Sequence, residues 1–163
     1  MSKKFAIIFI VALAVLGALI YVGLGNKLNI LSQKEMTTAV IGGEMFNLEV
    51  ARTPEAMVQG LAGRVSIGDR EGMLFIFGKE GVQYFTMKGM KFPIDIIWLR
   101  NSKIVGIFRN IAINPSTQEI LSAGGIPIYP SPDIVDKVIE VKAGTAGALN
   151  LTTGDTVAVK FGK

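Results

Sequence analysis

The chain contains no cysteine and no histidine. The first absence removes disulfide frameworks, thiol nucleophiles, CxxC redox pairs and cysteine-ligated zinc. The second removes the Ser-His-Asp triad, the HExxH metal helix and any imidazole titrating near neutrality. No S-x-x-K signature is present, so a Ser-Lys nucleophile of that kind is absent too. Acidic residues are missing from the first 34 positions, which nevertheless hold Lys3, Lys4, Lys27 and Lys34. From Glu35 onward 13 basic residues face 13 acids, so the net charge of +4 belongs to the N-terminal segment. With no dense Lys/Arg cluster and no RNA-recognition motif, nucleic acid is excluded as the main partner.

What the N-terminus has instead is a long charge-free run. It begins at Phe5 and ends at Leu24, reading FAIIFIVALAVLGALIYVGL. A helix of that length, at about 1.5 Å per residue, crosses the roughly 30 Å hydrocarbon core of a bilayer. A signal peptide has a shorter apolar core and an A-x-A-like cleavage site, for which the best candidate here is Gly23-Leu24-Gly25. The run therefore predicts a retained single-pass anchor over residues 1–25 and a polar tether over 26–36. An exported domain follows over 37–163. The lysines before the run place the N-terminus in the cytoplasm and the domain outside, with the membrane itself as one partner.

Residues 37–163 are enough to bury one core. Their local signals favour strands. Gly42-Gly43 between two alternating runs reads as a hairpin turn, and Asn101-Ser102 as another. Further strands are expected near residues 73–77, 82–87, 94–100, 103–108, 137–142 and 156–161. Thr53-Pro54-Glu55 supplies an N-cap, a first-turn proline and a first-turn acid, and Gly60 ends that helix. A second short helix is expected near residues 144–150. The stretch 112–136, with Pro115, Pro127, Pro130 and Pro132, reads as one long loop. The expected architecture is a mostly β sandwich or small barrel of about eight strands, with two short helices, preceded by one transmembrane helix.

From Val50 the chain reads VARTPEAMVQGLAGR, GMLFIF, YFTMKGMKFPIDIIWL and VIEVKAGTAGALNLTTGDTV in that order. This succession resembles the domain of unknown function 192 family, small bacterial and archaeal proteins that are often exported. The resemblance spans about 110 residues and implies a compact β-rich fold, with no established activity. It rests on Gly60, Leu61 and Arg64, on Gly72 to Phe75, on Met87-Lys88, on Pro93 and Asp95, on Ala143-Gly144 and on Gly154-Asp155. The chain departs from the pattern in having Thr86 where an aromatic is usual, Gly89 in place of Asn and Ala62 in place of Met. These departures predict an altered site if those positions line one.

Asp95 stands out among candidate residues. In a strand it shares a face with Ile97 and Leu99, opposite Ile94, Ile96 and Trp98. A carboxylate on an apolar face must be paired, hydrogen-bonded or protonated. The favoured reading is a structural carboxylate that ties a loop to the strand through backbone hydrogen bonds; the other is a ligand-facing acid with Arg64 and Lys88 as its natural cationic partners. Tyr129, between Pro127 and Pro130, is expected first as a loop staple packed onto the sheet, and otherwise as the best exposed aromatic for a ligand. Met73, Met87 and Met90 could offer thioethers to Cu(I), but methionine more often fills core gaps, and neither metal nor cofactor is expected. Asp95, Glu140 and Asp155 could supply the two carboxylates of a glycosidase. Against that, Glu140 alternates with Ile139 and Val141 and is expected to face solvent, and Gly154-Asp155 reads as a turn. The sequence thus predicts a noncatalytic binding module for an envelope ligand or partner protein, using Arg64, Lys88, Asp95 and Tyr129. The alternative is a carboxylate-dependent hydrolase acting on envelope glycan.

Overall fold

A computed structural model of the chain describes residues 34–113, 122–123 and 126–161. The chain divides into two units, Met1–Lys34 and Glu35–Lys163, and the predicted membrane span lies in the first, outside the described residues. Among the described residues no helix is long and apolar enough to cross a membrane.

Strands β1 (Met36–Ile41) and β2 (Glu44–Ala51) form the expected hairpin, with Ile41 opposite Glu44. Gly42 and Gly43 turn it at φ 57° and 86°, positive values that residues with a Cβ rarely adopt. Helix α1 (Pro54–Gln59) follows, its Thr53 Oγ1 accepting from Ala56 N at 3.2 Å and its C-cap at Gly60. This helix is the crossover that lets β3 (Glu71–Gly81) pair parallel to β2. Next come β4 (Tyr84–Thr86), the hairpin of β5 (Ile94–Arg100) and β6 (Lys103–Ile111) turned at Asn101, then β7 (Ser122–Ala123) and β8 (Ile126–Pro130). The chain finishes with β9 (Val135–Lys142), the one-turn helix α2 (Thr145–Ala148) and β10 (Ala158–Lys160).

Seven strands build one sheet in the order β10-β1-β2-β3-β9-β5-β6, antiparallel except at β2–β3. The sheet curls into a half-barrel. Its β6 edge is tied to the segment leading into β10 by Ile104 N to Asp155 O (2.9 Å), Gly154 N to Ile104 O (2.8 Å) and Val157 N to Ser102 O (2.9 Å). The interior of the curl is filled by Ile41, Phe46, Leu48, Leu74, Ile97 and Ile139 with their neighbours. The outer face carries a second core around Met73, Phe75, Ile96, Trp98, Val138 and Leu61. Met87 is buried in that core and Met90 packs against it, so the three methionines considered above as thioether ligands fill core space.

Stretch 112–136 is not one long loop. It contains β8, which lies between β4 and β7 in a separate three-stranded sheet, and it runs into the first residues of β9. Pro127 and Pro130 are tolerated because β4 and β7 span only three and two residues, leaving few ladder bonds for the missing N–H groups to interrupt. Small sheet and α1 therefore lie over the outer face, and that cover creates the cavity described next.

Candidate functional site

Between α1, β4 and the middle of β3 and β9 lies a cavity of about 420 Å³. Size falls within the range of small-molecule sites. Its floor is formed by the buried Phe75 and Glu140, and its mouth by the exposed Val58, Gln59, Tyr84, Thr86 and Lys88. Helix α1 ends at Gly60, directly against the floor. A Cβ on Gly60 would stand 3.5 Å from Phe75 Cζ and 3.8 Å from Glu140 Oε2, and the φ of 47° there is itself unfavourable for any other residue. One wall is held by edge-to-face aromatic contacts, Phe75 to Phe85 at 4.8 Å between centroids and Phe85 to Trp98 at 5.4 Å.

Glu140 is the chemically unusual residue of this cavity. In the sheet it stands between Met73 on β3 and Ile96 on β5, and only 4% of it is exposed. Its Oε2 has no hydrogen-bond partner among the described residues. Burial among apolar neighbours pushes the carboxyl up to about 8, and the charge of Arg64 offsets this only in part. Arg64 does not satisfy it because its guanidinium is engaged bidentately by Glu49. Nη1 bonds Oε1, and Nη2 bonds Oε2 at 2.7 Å. That hydrogen-bonded pair holds Arg64 above its ordinary value. The raised value favours the neutral, protonated form of Glu140 at the floor of the cavity, where it can act as a hydrogen-bond donor.

The expectation that Glu140 faces solvent is overturned. Alternation assigned its face correctly, since it points away from Ile139 and Val141, but that face is covered as well. The signal lay in the run Val138-Ile139-Glu140-Val141, a nearly continuous apolar stretch of the kind that marks a strand buried on both sides.

The four residues singled out from the sequence lie in different places. Asp95 is fully buried on the interior side of the sheet, where its carboxylate accepts three backbone N–H bonds. Oδ1 accepts from Asn110 N at 2.7 Å and Gly144 N at 3.2 Å, and Oδ2 accepts from Ala146 N at 2.8 Å. It thus caps α2 from a distance, a helix whose own N-cap Gly144 has no side chain to do so. Arg64 pairs with Glu49 and Lys88 stands at the cavity mouth, so neither joins Asp95. Tyr129 is not exposed but 7% accessible within β8, opposite Phe85 and edge-to-face with Phe108. Its prolines flank a paired strand rather than a free loop. Asp95 and Glu140 lie on opposite faces of the sheet, and Asp155 accepts from Thr152 N at 2.7 Å in a turn. No two of these three carboxylates share a cleft. Of the positions where the chain departs from the pattern it resembles, Ala62 and Thr86 both line the cavity, and a Cβ on Gly89 would meet that of Ala62 at 3.3 Å.

No curated protein matches the chain. Two solved structures are similar to it. One is a proposed transcription regulator from Sinorhizobium meliloti 1021, 26% identical, covering 78% of this chain and 94% of that one with a TM-score of 0.64. The other is a protein of unknown function from Novosphingobium aromaticivorans DSM 12444, 25% identical, covering 76% and 83% with a TM-score of 0.62. The model of the family DUF192, described as uncharacterized ACR, matches residues 37–159, nearly all of the β-rich unit. On that match the chain belongs to the DUF192 family.

Proposed function

We propose that this protein is a membrane-anchored, extracytoplasmic binding module, and that its ligand site is the cavity over Glu140 rather than the surroundings of Asp95. The observation that carries this reading is a roomy cavity with an aromatic wall and a buried carboxyl whose Oε2 lacks any partner. Buried polar atoms are normally satisfied within the fold. One left open at the floor of a cavity is a group reserved for something that enters it. Lys88 at the mouth is the residue retained from the sequence-based candidates.

A noncatalytic role is favoured over the glycan hydrolase because Glu140 is the single acid lining the cavity among the described residues. Glycoside hydrolysis needs two carboxyl groups across the bond, about 5–9.5 Å apart. The chain has no histidine, and among the described residues the cavity shows no nucleophile–base pair of the kind an acyl-transfer site needs.

The test is a thermal-shift screen of the full-length chain in detergent against envelope sugars and peptidoglycan fragments. A ligand held at about a hundred times its Kd should stabilise the fold by about 2.7 kcal/mol through mass action. Ala62→Trp, which fills the cavity from its wall, should remove that shift while the variant still melts cooperatively. A shift that survives Ala62→Trp would place the site elsewhere, and cleavage of a bound glycan in mass spectra would replace the binding role with the hydrolase. Anchoring is tested separately. Full-length protein carrying the Phe5-to-Leu24 run should stay with membranes after alkaline carbonate washing, and its release would overturn the anchor.

A further inference from the structure

The chemistry of the cavity narrows what can occupy it. Its floor is formed by Phe75 and Glu140, with Met57, Phe77 and Phe85 around them and the half-buried Gln83 as a second polar group on the wall. Most of its other hydrogen-bonding side chains, Gln59, Thr86 and Lys88, are exposed at the mouth. A matching ligand has a small apolar group carrying one acceptor at its inner end, and a hydroxylated body at its outer end.

Formal charge on the ligand is disfavoured in both signs. A cation would approach past Lys88 and towards Arg64, whose charge already acts on Glu140. An anion would find Lys88 at the mouth, but at the floor it would meet a carboxyl in apolar surroundings. Charged groups near Glu140 are Arg64 from the segment after α1, with Glu49 of β2 and Glu71 at the start of β3 acting on Arg64, and Lys88 from the turn after β4. Glu49 neutralises Arg64 in a bidentate pair, so no counter-ion remains for Glu140 itself.

Building on the binding-module reading, we propose that the cavity takes an N-acetylated amino sugar. The acetamide enters first, its methyl against Phe75 and its carbonyl oxygen accepting a hydrogen bond from the protonated Glu140 carboxyl, while the pyranose hydroxyls meet Gln59, Thr86 and Lys88. Aromatic side chains such as Phe77 and Tyr84 offer the flat apolar surface that a pyranose face requires. Because the carboxyl must be protonated to donate, binding is lost when Glu140 ionises.

The experiment is calorimetric titration of the full-length chain in detergent with N-acetylglucosamine, glucosamine and glucose, at about pH 6.5 and about pH 9.5. N-acetylglucosamine should bind at the lower pH, with glucose and protonated glucosamine weaker by about tenfold or more. Raising the pH should weaken N-acetylglucosamine by about tenfold or more, in step with loss of the proton. Glu140→Gln keeps an N–H donor of the same shape, so it should bind at both pH values with the pH dependence flattened. A preference for glucosamine or glucose, or wild-type binding that ignores pH, would overturn the assigned ligand while leaving the cavity a binding site. No heat with any of the three sugars would also overturn it. The module reading would then stand or fall on whether Ala62→Trp removes a shift from the wider ligand screen.

Discussion

Glu140→Gln should make the protein more stable at alkaline pH while changing it little in mild acid. Burial pushes the wild-type carboxyl up to about 8 in the folded chain, from the ordinary 4.5 of an exposed glutamate. Between those values the unfolded state has released its proton and the folded state has not. Stability therefore falls as pH rises through this window, and it is flat below about 4.5 and above about 8. This is the reverse of a salt-bridged carboxylate, whose stabilisation is lost on acidification. The displacement corresponds to about 3–6 kcal/mol of penalty fully expressed near pH 9. Glutamine has no charge to bury and nearly the same volume, so that penalty is absent from the variant. Chemical denaturation of both proteins at about pH 5 and about pH 9 gives the check. A gap that opens only at the higher pH is the expected result. An equal difference at both would mean that Glu140 is ionised, or solvated, throughout.

Asp95→Ala should be the most destabilising change on the interior side of the sheet. Three backbone donors, on Asn110, Gly144 and Ala146, converge on one carboxylate at 2.7–3.2 Å. Removing it strands an amide fully inside the core and leaves α2 without a cap. Hydrogen bonds to a charged acceptor are worth about 1.5–3 kcal/mol each and are not additive, so a loss of about 3–5 kcal/mol is expected. Asp95→Asn keeps one carbonyl acceptor but turns an NH₂ group towards at least one of the donors, and should lose about 2–4 kcal/mol. Denaturant midpoints should fall in that order with the slope m unchanged. A midpoint unmoved in Asp95→Asn would mean that the carboxylate does not hold these segments, and would return Asp95 to the list of ligand-facing acids.

The two predictions concern acids of similar appearance in sequence, each set among isoleucines and valines. One accepts three backbone hydrogen bonds, and the other has an oxygen, Oε2, without a partner among the described residues. Nothing local distinguishes them, because the donors to Asp95 lie 15, 49 and 51 residues away, and the hollow beside Glu140 is made by α1 and β4. The choice of Asp95, Arg64 and Lys88 as one cluster followed from their places in adjacent motifs. Folding instead sent Asp95 through the sheet to its interior side, bound Arg64 to Glu49 and left Lys88 at a rim.

What the sequence determined by itself is whatever depends on neighbours within a few positions. The two glycines at 42 and 43 demand a turn, Thr53-Pro54 and Gly60 bracket a helix, and the alternation of residues 94–100 assigns each side chain to a face. These are properties of backbone sterics and short-range hydrogen bonding, so they survive in any tertiary setting. The tertiary structure alone decided which faces would be covered. A period of two names the side on which a residue stands but says nothing of what is laid over it. Only when β8, read as part of a loop, paired with β4 over the outer face did Tyr129 become core and Glu140 become a buried acid at the floor of a cavity.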